Sequence, residues 1–74
     1  MSKLPVISGQ KTIKKLEKIG YSAIRRKGSH IRLRNSNNSE CKPITVPAHK
    51  IIKPGLLRQI IKDSNLSVKE FIDL

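Results

Sequence analysis

The chain has 74 residues, 36% of them hydrophobic, with one Phe, one Tyr and no Trp. A length like this makes one domain, expected over residues 1–74, with a thin aliphatic core that buries only ~60% of the unfolded surface and cannot wall a large ligand cavity. Sixteen Lys and Arg against five Asp and Glu leave a net charge of +11, which favours a polyanion, most often nucleic acid, over a membrane surface that would need missing aromatic anchors.

The opening "MSKLPVISG" has no long apolar run, so neither a signal peptide nor a membrane span is read, and a reduced cytoplasm is the expected compartment. Ser8 is placed to cap a helix, Ile13, Leu16 and Ile19 recur at helical spacing, and Gly20 can stop it. This predicts a first helix over residues 9–19, with Lys11, Lys14, Lys15 and Lys18 on its other face. "YSAIRR" reads as a strand with imperfect alternation. Tyr21 and Ile24 cannot both point inward on a regular strand, and one resolution leaves Tyr21 to the entry turn.

"KG" at 27 and 28 makes a tight turn, with Gly28 free to take positive φ. "SHIRLRN" has the cleanest period-two pattern in the chain and is the second strand. "SNNSEC" is polar and rich in turn formers, so it reads as a loop or a flexible hairpin tip. Cys41 within it has no Cys or His at ligand spacing and reads as incidental. "KPITVP" is a short third strand with Ile44 and Val46 inward, framed by prolines as an edge or strand end would be. Pro54 suits the first position of a second helix, in which Leu56, Leu57, Ile60 and Ile61 form the apolar stripe and Asn65 the stop. Ser67 and Glu70 have capping-box spacing for a short closing helix with Val68, Phe71 and Leu74 on one side.

The predicted order is therefore α-β-β-β-α with a short extra helix. Three consecutive short strands form an antiparallel meander, and two helices with single apolar stripes cover one face of it. The other face stays open. If Ile31 and Leu33 pack under the helices, His30, Arg32 and Arg34 project onto that open face.

Candidates for chemistry are few. No HxH, no HExxH and no close carboxylate pair is present, so no metal site is expected, and the scattered glycines make no phosphate loop. Ser29 beside His30 is no dyad, because neighbouring strand residues face opposite ways. His30 is set apart by its surroundings: Arg25, Arg26, Lys27, Arg32 and Arg34 lie within ten residues. RNA carries its own nucleophile, the 2′-hydroxyl. Cleaving it needs a proton acceptor or donor and cations on the phosphate, and no metal. On residues alone a solvent-facing histidine on a binding surface fits as well. His49 follows a strand exit, where it can serve the turn or reach the substrate. The scarcity of aromatics argues against base stacking and for contact with the nucleic-acid backbone.

"LPVISGQKTIKKLEKIGY", "RRKGSHIRLR", "ITVPAHKIIKPGLLRQII" and "LSVKEFIDL" together resemble the HicA toxins, small ribonucleases of toxin–antitoxin systems. The "GSH" followed by alternating apolar and basic residues is the most specific part. The resemblance implies a double-stranded-RNA-binding-domain-like α+β fold, three antiparallel strands with helices on one face. It implies metal-independent cleavage of mRNA with no cofactor, His30 as the catalytic residue, and a HicB antitoxin that covers the site. Gly28 and Ser29 match the family turn, and Pro54 and Gly55 match the start of the second helix. Lys27, Arg25, Arg26, Arg32, Arg34 and Ser29 are then the expected RNA contacts. The loop "NSNNSECK" departs from a tight hairpin, and Arg26 is a second consecutive arginine. Two rivals remain: a non-catalytic RNA-binding module, which would retain RNA without making new ends, and a basic assembly protein, which would tolerate changes at His30.

Overall fold

The computed structural model describes residues 3–74. Its elements run α1 (Gly9–Glu17), β1 (Tyr21–Lys27), β2 (His30–Asn35), β3 (Ile44–Pro47), α2 (Pro54–Asp63) and α3 (Val68–Ile72). The three strands form one antiparallel sheet in the order β1-β2-β3, so the strand with the cleanest alternation is the central one. α1 packs against β1 and β3, and α2 against β3 and α3, all on one face. The α+β, double-stranded-RNA-binding-domain-like expectation holds.

Each helix begins as its sequence directs. Ser8 accepts the Lys11 N–H at 3.1 Å through its side chain and the Thr12 N–H at 3.0 Å through its carbonyl. Pro54 starts α2, where its missing N–H leaves no bond unmade. Ser67 and Glu70 complete both halves of a capping box on α3. The Ser67 N–H bound to the Glu70 carboxylate holds that carboxyl below its ordinary range. α1 ends two residues before the predicted stop, in a turn that closes at Gly20. Asn65, with φ of 61°, terminates α2 while the Leu66 N–H reaches back to the Ile61 carbonyl.

The core is aliphatic: Leu16, Leu33, Ile44, Val46, Ile52, Leu57, Ile60 and Ile61, closed by Phe71. Each such side chain contributes about 1.5–3 kcal/mol by leaving water. Two sequence expectations are corrected, at Leu56 and at the 36–42 loop, and Cys41 gains a place that the sequence did not give it. Leu56 does not join the stripe of α2 but is 39% exposed, because at 100° per residue it falls outside the inward arc that Leu57, Ile60, Ile61 and Ser64 define. Cys41 is buried in the core, with its thiol 3.3 Å from the Ser64 carbonyl. The 36–42 loop is pinned rather than loose: Asn35 and Asn38 side chains accept the N–H groups of Asn37 and Glu40, and the Lys42 N–H donates to the Asp63 carbonyl at 2.8 Å.

Tyr21 is also inside. Its hydroxyl donates to the Lys42 carbonyl at 2.7 Å, and burial pushes the phenol well above its ordinary pKa. Lys15, half-buried on α1, does not serve the basic face. Its ammonium donates to the carbonyls of Ile72 and Leu74 and sits over the Phe71 ring, 5.6 Å from its centre, tying α3 to α1.

Candidate nucleic-acid cleavage site

β1 and β2 are joined by the two residues Gly28 and Ser29. Gly28 has φ of 59°, which the first central position of a type II′ hairpin needs and which a side chain would resist. His30 follows as the first residue of β2. Its Cα pairs with Lys27 on one side and Pro47 on the other. The Ala48 N–H donates to the Ser29 carbonyl at 2.6 Å, so the backbone is held on both flanks.

Alternation along β2 is observed as predicted: Leu33 and Asn35 are buried, Ile31 is half-buried, and His30, Arg32 and Arg34 are exposed. The register sets Arg25 opposite Arg32 and Lys27 opposite His30, and paired residues share a face. Arg25 and Lys27 reach this face only because β1 is irregular. With Tyr21 inward, a regular strand would turn residues 23, 25 and 27 inward too. The ladder shifts between Ala23 and Arg25, leaving Ile24 as an extra residue that is 56% exposed. Past this bulge the alternation reverses. The conflict between Tyr21 and Ile24 is thus settled for Tyr21, which lies in the strand and not in an entry turn.

An open groove of about 440 Å³ results, lined by Arg25, Lys27, His30, Arg32 and Thr45. Arg32 Nη1 donates to Thr45 Oγ1 at 3.0 Å, which orients the guanidinium across the sheet. Thr45 was overlooked in the sequence, although its place between the inward Ile44 and Val46 is a sufficient signal for an outward side chain beside Arg32.

The remaining sequence candidates lie elsewhere. Arg34 shares the face but pairs with Ser22, further along the strand, outside the groove lining. Arg26 pairs with Ile31 and so points to the helix side, where its Nε donates to the Gly28 carbonyl at 3.3 Å. Ser29 is exposed in the turn and does not line the groove. His49 lines a separate groove, and Pro54 and Gly55 stand at the exposed start of α2.

No acidic residue lines the groove. Asp63, Glu40 and Glu70 bond to Gln59, Asn65 and Ser67, away from this face. Among the described residues no three His, Cys, Asp or Glu side chains gather where they could hold a metal ion. The groove therefore combines one imidazole with three cations and a hydroxyl, groups suited to hold a phosphodiester and to move a proton at it. No helix of the described residues is long and apolar enough to cross a membrane.

Comparison with curated proteins finds no match. The family model of the HicA toxin of bacterial toxin–antitoxin systems matches residues 9–66 of the 74, from the start of α1 to just past α2. That span takes in the whole sheet and every residue that lines the groove, and with it this chain is shown to belong to the HicA toxin family, the toxin side of a toxin–antitoxin pair.

Proposed function

We propose that the protein is a cytoplasmic endoribonuclease that cuts mRNA at the His30 groove without a metal or other cofactor, halting translation and growth until its HicB antitoxin covers the site. The observation that carries this reading is the placement of His30, on the open face of the central strand and flanked by Arg25, Lys27 and Arg32 with no acid among the lining groups.

In the reaction His30 takes the proton from the 2′-hydroxyl, gives a proton to the departing 5′-oxygen, or does both in turn. The 2′-oxygen bonds to phosphorus as the bond from phosphorus to the 5′-oxygen breaks. A cyclic 2′,3′-phosphate and a free 5′-hydroxyl result. Arg25, Lys27 and Arg32 neutralise the non-bridging phosphate oxygens, whose charge grows as the nucleophile adds. Family membership implies a cognate antitoxin, and an acidic surface laid over this cationic groove would exclude RNA by occupying the same charges.

The test is inducible expression of the wild type and of His30→Ala, scored for growth arrest and for new mRNA ends. The wild type should arrest growth and leave cyclic-phosphate termini, and the variant should do neither. Equal cleavage by purified His30→Ala would sink the assignment.

A further inference from the structure

A second groove lies round the end of β3 from the first. It has a volume of about 230 Å³ and is lined by Ser8, Gln10, Ala48, His49 and Lys50. The boundary between the two grooves is the Pro47–Ala48 backbone, which pairs with His30 and bonds to Ser29. One cross-strand step and two residues of chain separate the Cα atoms of His30 and His49, at most about 13 Å. A short run of nucleotides bridges such a gap.

The lining is fixed and donor-rich. The Gly9 N–H donates to the His49 carbonyl at 2.9 Å, and a Cβ on Gly9 would collide with the Pro47 carbonyl oxygen, so α1 and the 47–50 segment meet in direct backbone contact. Lys50 brings an ammonium, His49 a ring N–H and Gln10 an amide. Ser8 Oγ already accepts from the Lys11 N–H, which leaves its own hydroxyl proton to donate. No acid and no Phe, Tyr or Trp lines the groove, so apart from the small His49 ring it offers no stacking platform, while four of its five lining residues carry donors for a phosphate. Lys11 and Lys14, exposed on the next turns of α1, continue the cationic path.

We propose that this groove is a second phosphate subsite for RNA, in which Lys50 and His49 hold the sugar–phosphate backbone flanking the nucleotide cut at His30. The inference rests on the ribonuclease reading for its substrate, and its test does not depend on turnover. Binding of a decanucleotide RNA is measured with His30→Ala protein, alone and combined with His49→Ala and Lys50→Ala. Both added positions are exposed, so the fold is expected to persist and is checked by circular dichroism. Adding the two changes should weaken binding about tenfold and lower the log–log salt slope by about one. In the cleaving protein the same pair should raise KM far more for the decanucleotide than for a dinucleotide. Unchanged affinity and slope would overturn the subsite. So would a loss confined to antitoxin binding, which would mark the groove as a protein contact. A parent that binds RNA but never cuts it removes the catalytic reading and, if the double change still weakens binding, leaves the subsite standing.

Discussion

The two faces of the sheet use the same seventeen residues of backbone for opposite ends. On the helix side Tyr21, Leu33, Ile44 and Val46 are buried, and on the other side Arg25, Lys27, His30 and Arg32 stand in water around a groove. Because neighbouring strand residues face opposite ways, each face can change without the other: stability is written into one set of alternate positions and, on the proposed reading, chemistry into the other. A groove that carries three cations and no acid contributes nothing to folding by itself. Its like charges repel, and the buried face opposite must offset that cost.

The largest effect that would test this division is at His30. His30→Ala should lower the cleavage rate by ~10²–10⁴-fold, the usual contribution of a general acid or base, while its stability stays within about 0.5 kcal/mol of the parent, as for an exposed position. The converse substitution is Leu33→Ala, three residues away on the same strand. It should cost roughly 2–5 kcal/mol in urea unfolding, because a fully buried side chain leaves a cavity. If the folded fraction of that variant cuts RNA much more slowly per molecule than the parent, the faces are coupled and the division fails.

The bulge gives a finer test. Deleting Ile24 removes the extra residue and leaves Ala23 opposite Leu33 and Arg25 opposite Arg32, so RNA affinity and its salt slope should hold. Deleting Arg26 removes a paired residue instead. Because the Gly28–Ser29 turn keeps Lys27 opposite His30, the deletion shifts Arg25 opposite Ile31, onto the helix side, and should lower the slope by about one. The smallest effect concerns α3. The Glu70 carboxyl is held below its ordinary range by the Ser67 N–H, so its stabilisation is complete above that range and is lost as pH falls through the lowered folded value. Glu70→Gln should therefore flatten the acid limb of the urea midpoint against pH, with no change in RNA binding.

Much of this was legible in the sequence because it depended on local rules. The order of elements, the caps at Ser8 and Ser67, the turn at Gly28 and the outward His30 all follow from spacing within a few residues. What escaped depended on partners far along the chain. Period-two logic could not say that β1 is bulged, since that is settled by which of Tyr21 and Ile24 the rest of the core accepts, and Lys42 and Asp63 supply the carbonyls that draw the Tyr21 hydroxyl in. The facing of Arg26 follows from the same bulge, and of the five cations that lie within ten residues three line the site. The burial of Cys41 was not legible because its sequence neighbours are polar, whereas its surroundings come from the end of α2. Lys15 looked like one lysine of four and is instead a clasp on carbonyls nearly sixty residues away.

The paired flanks of His30 have one further consequence. Sites on free loops are ordered when substrate arrives, and the lost backbone entropy of each residue, about 1–2 kcal/mol, is subtracted from binding. Here that entropy is already gone at folding, since Lys27, Pro47 and the bond from Ala48 to Ser29 fix the platform. Only the imidazole and a few cationic side chains remain to be immobilised, at about 0.5–1.5 kcal/mol each. On the proposed reading the toxin is pre-organised: it has no folding step to complete once the antitoxin leaves, and the delay before the first cut is set by how fast the groove is uncovered.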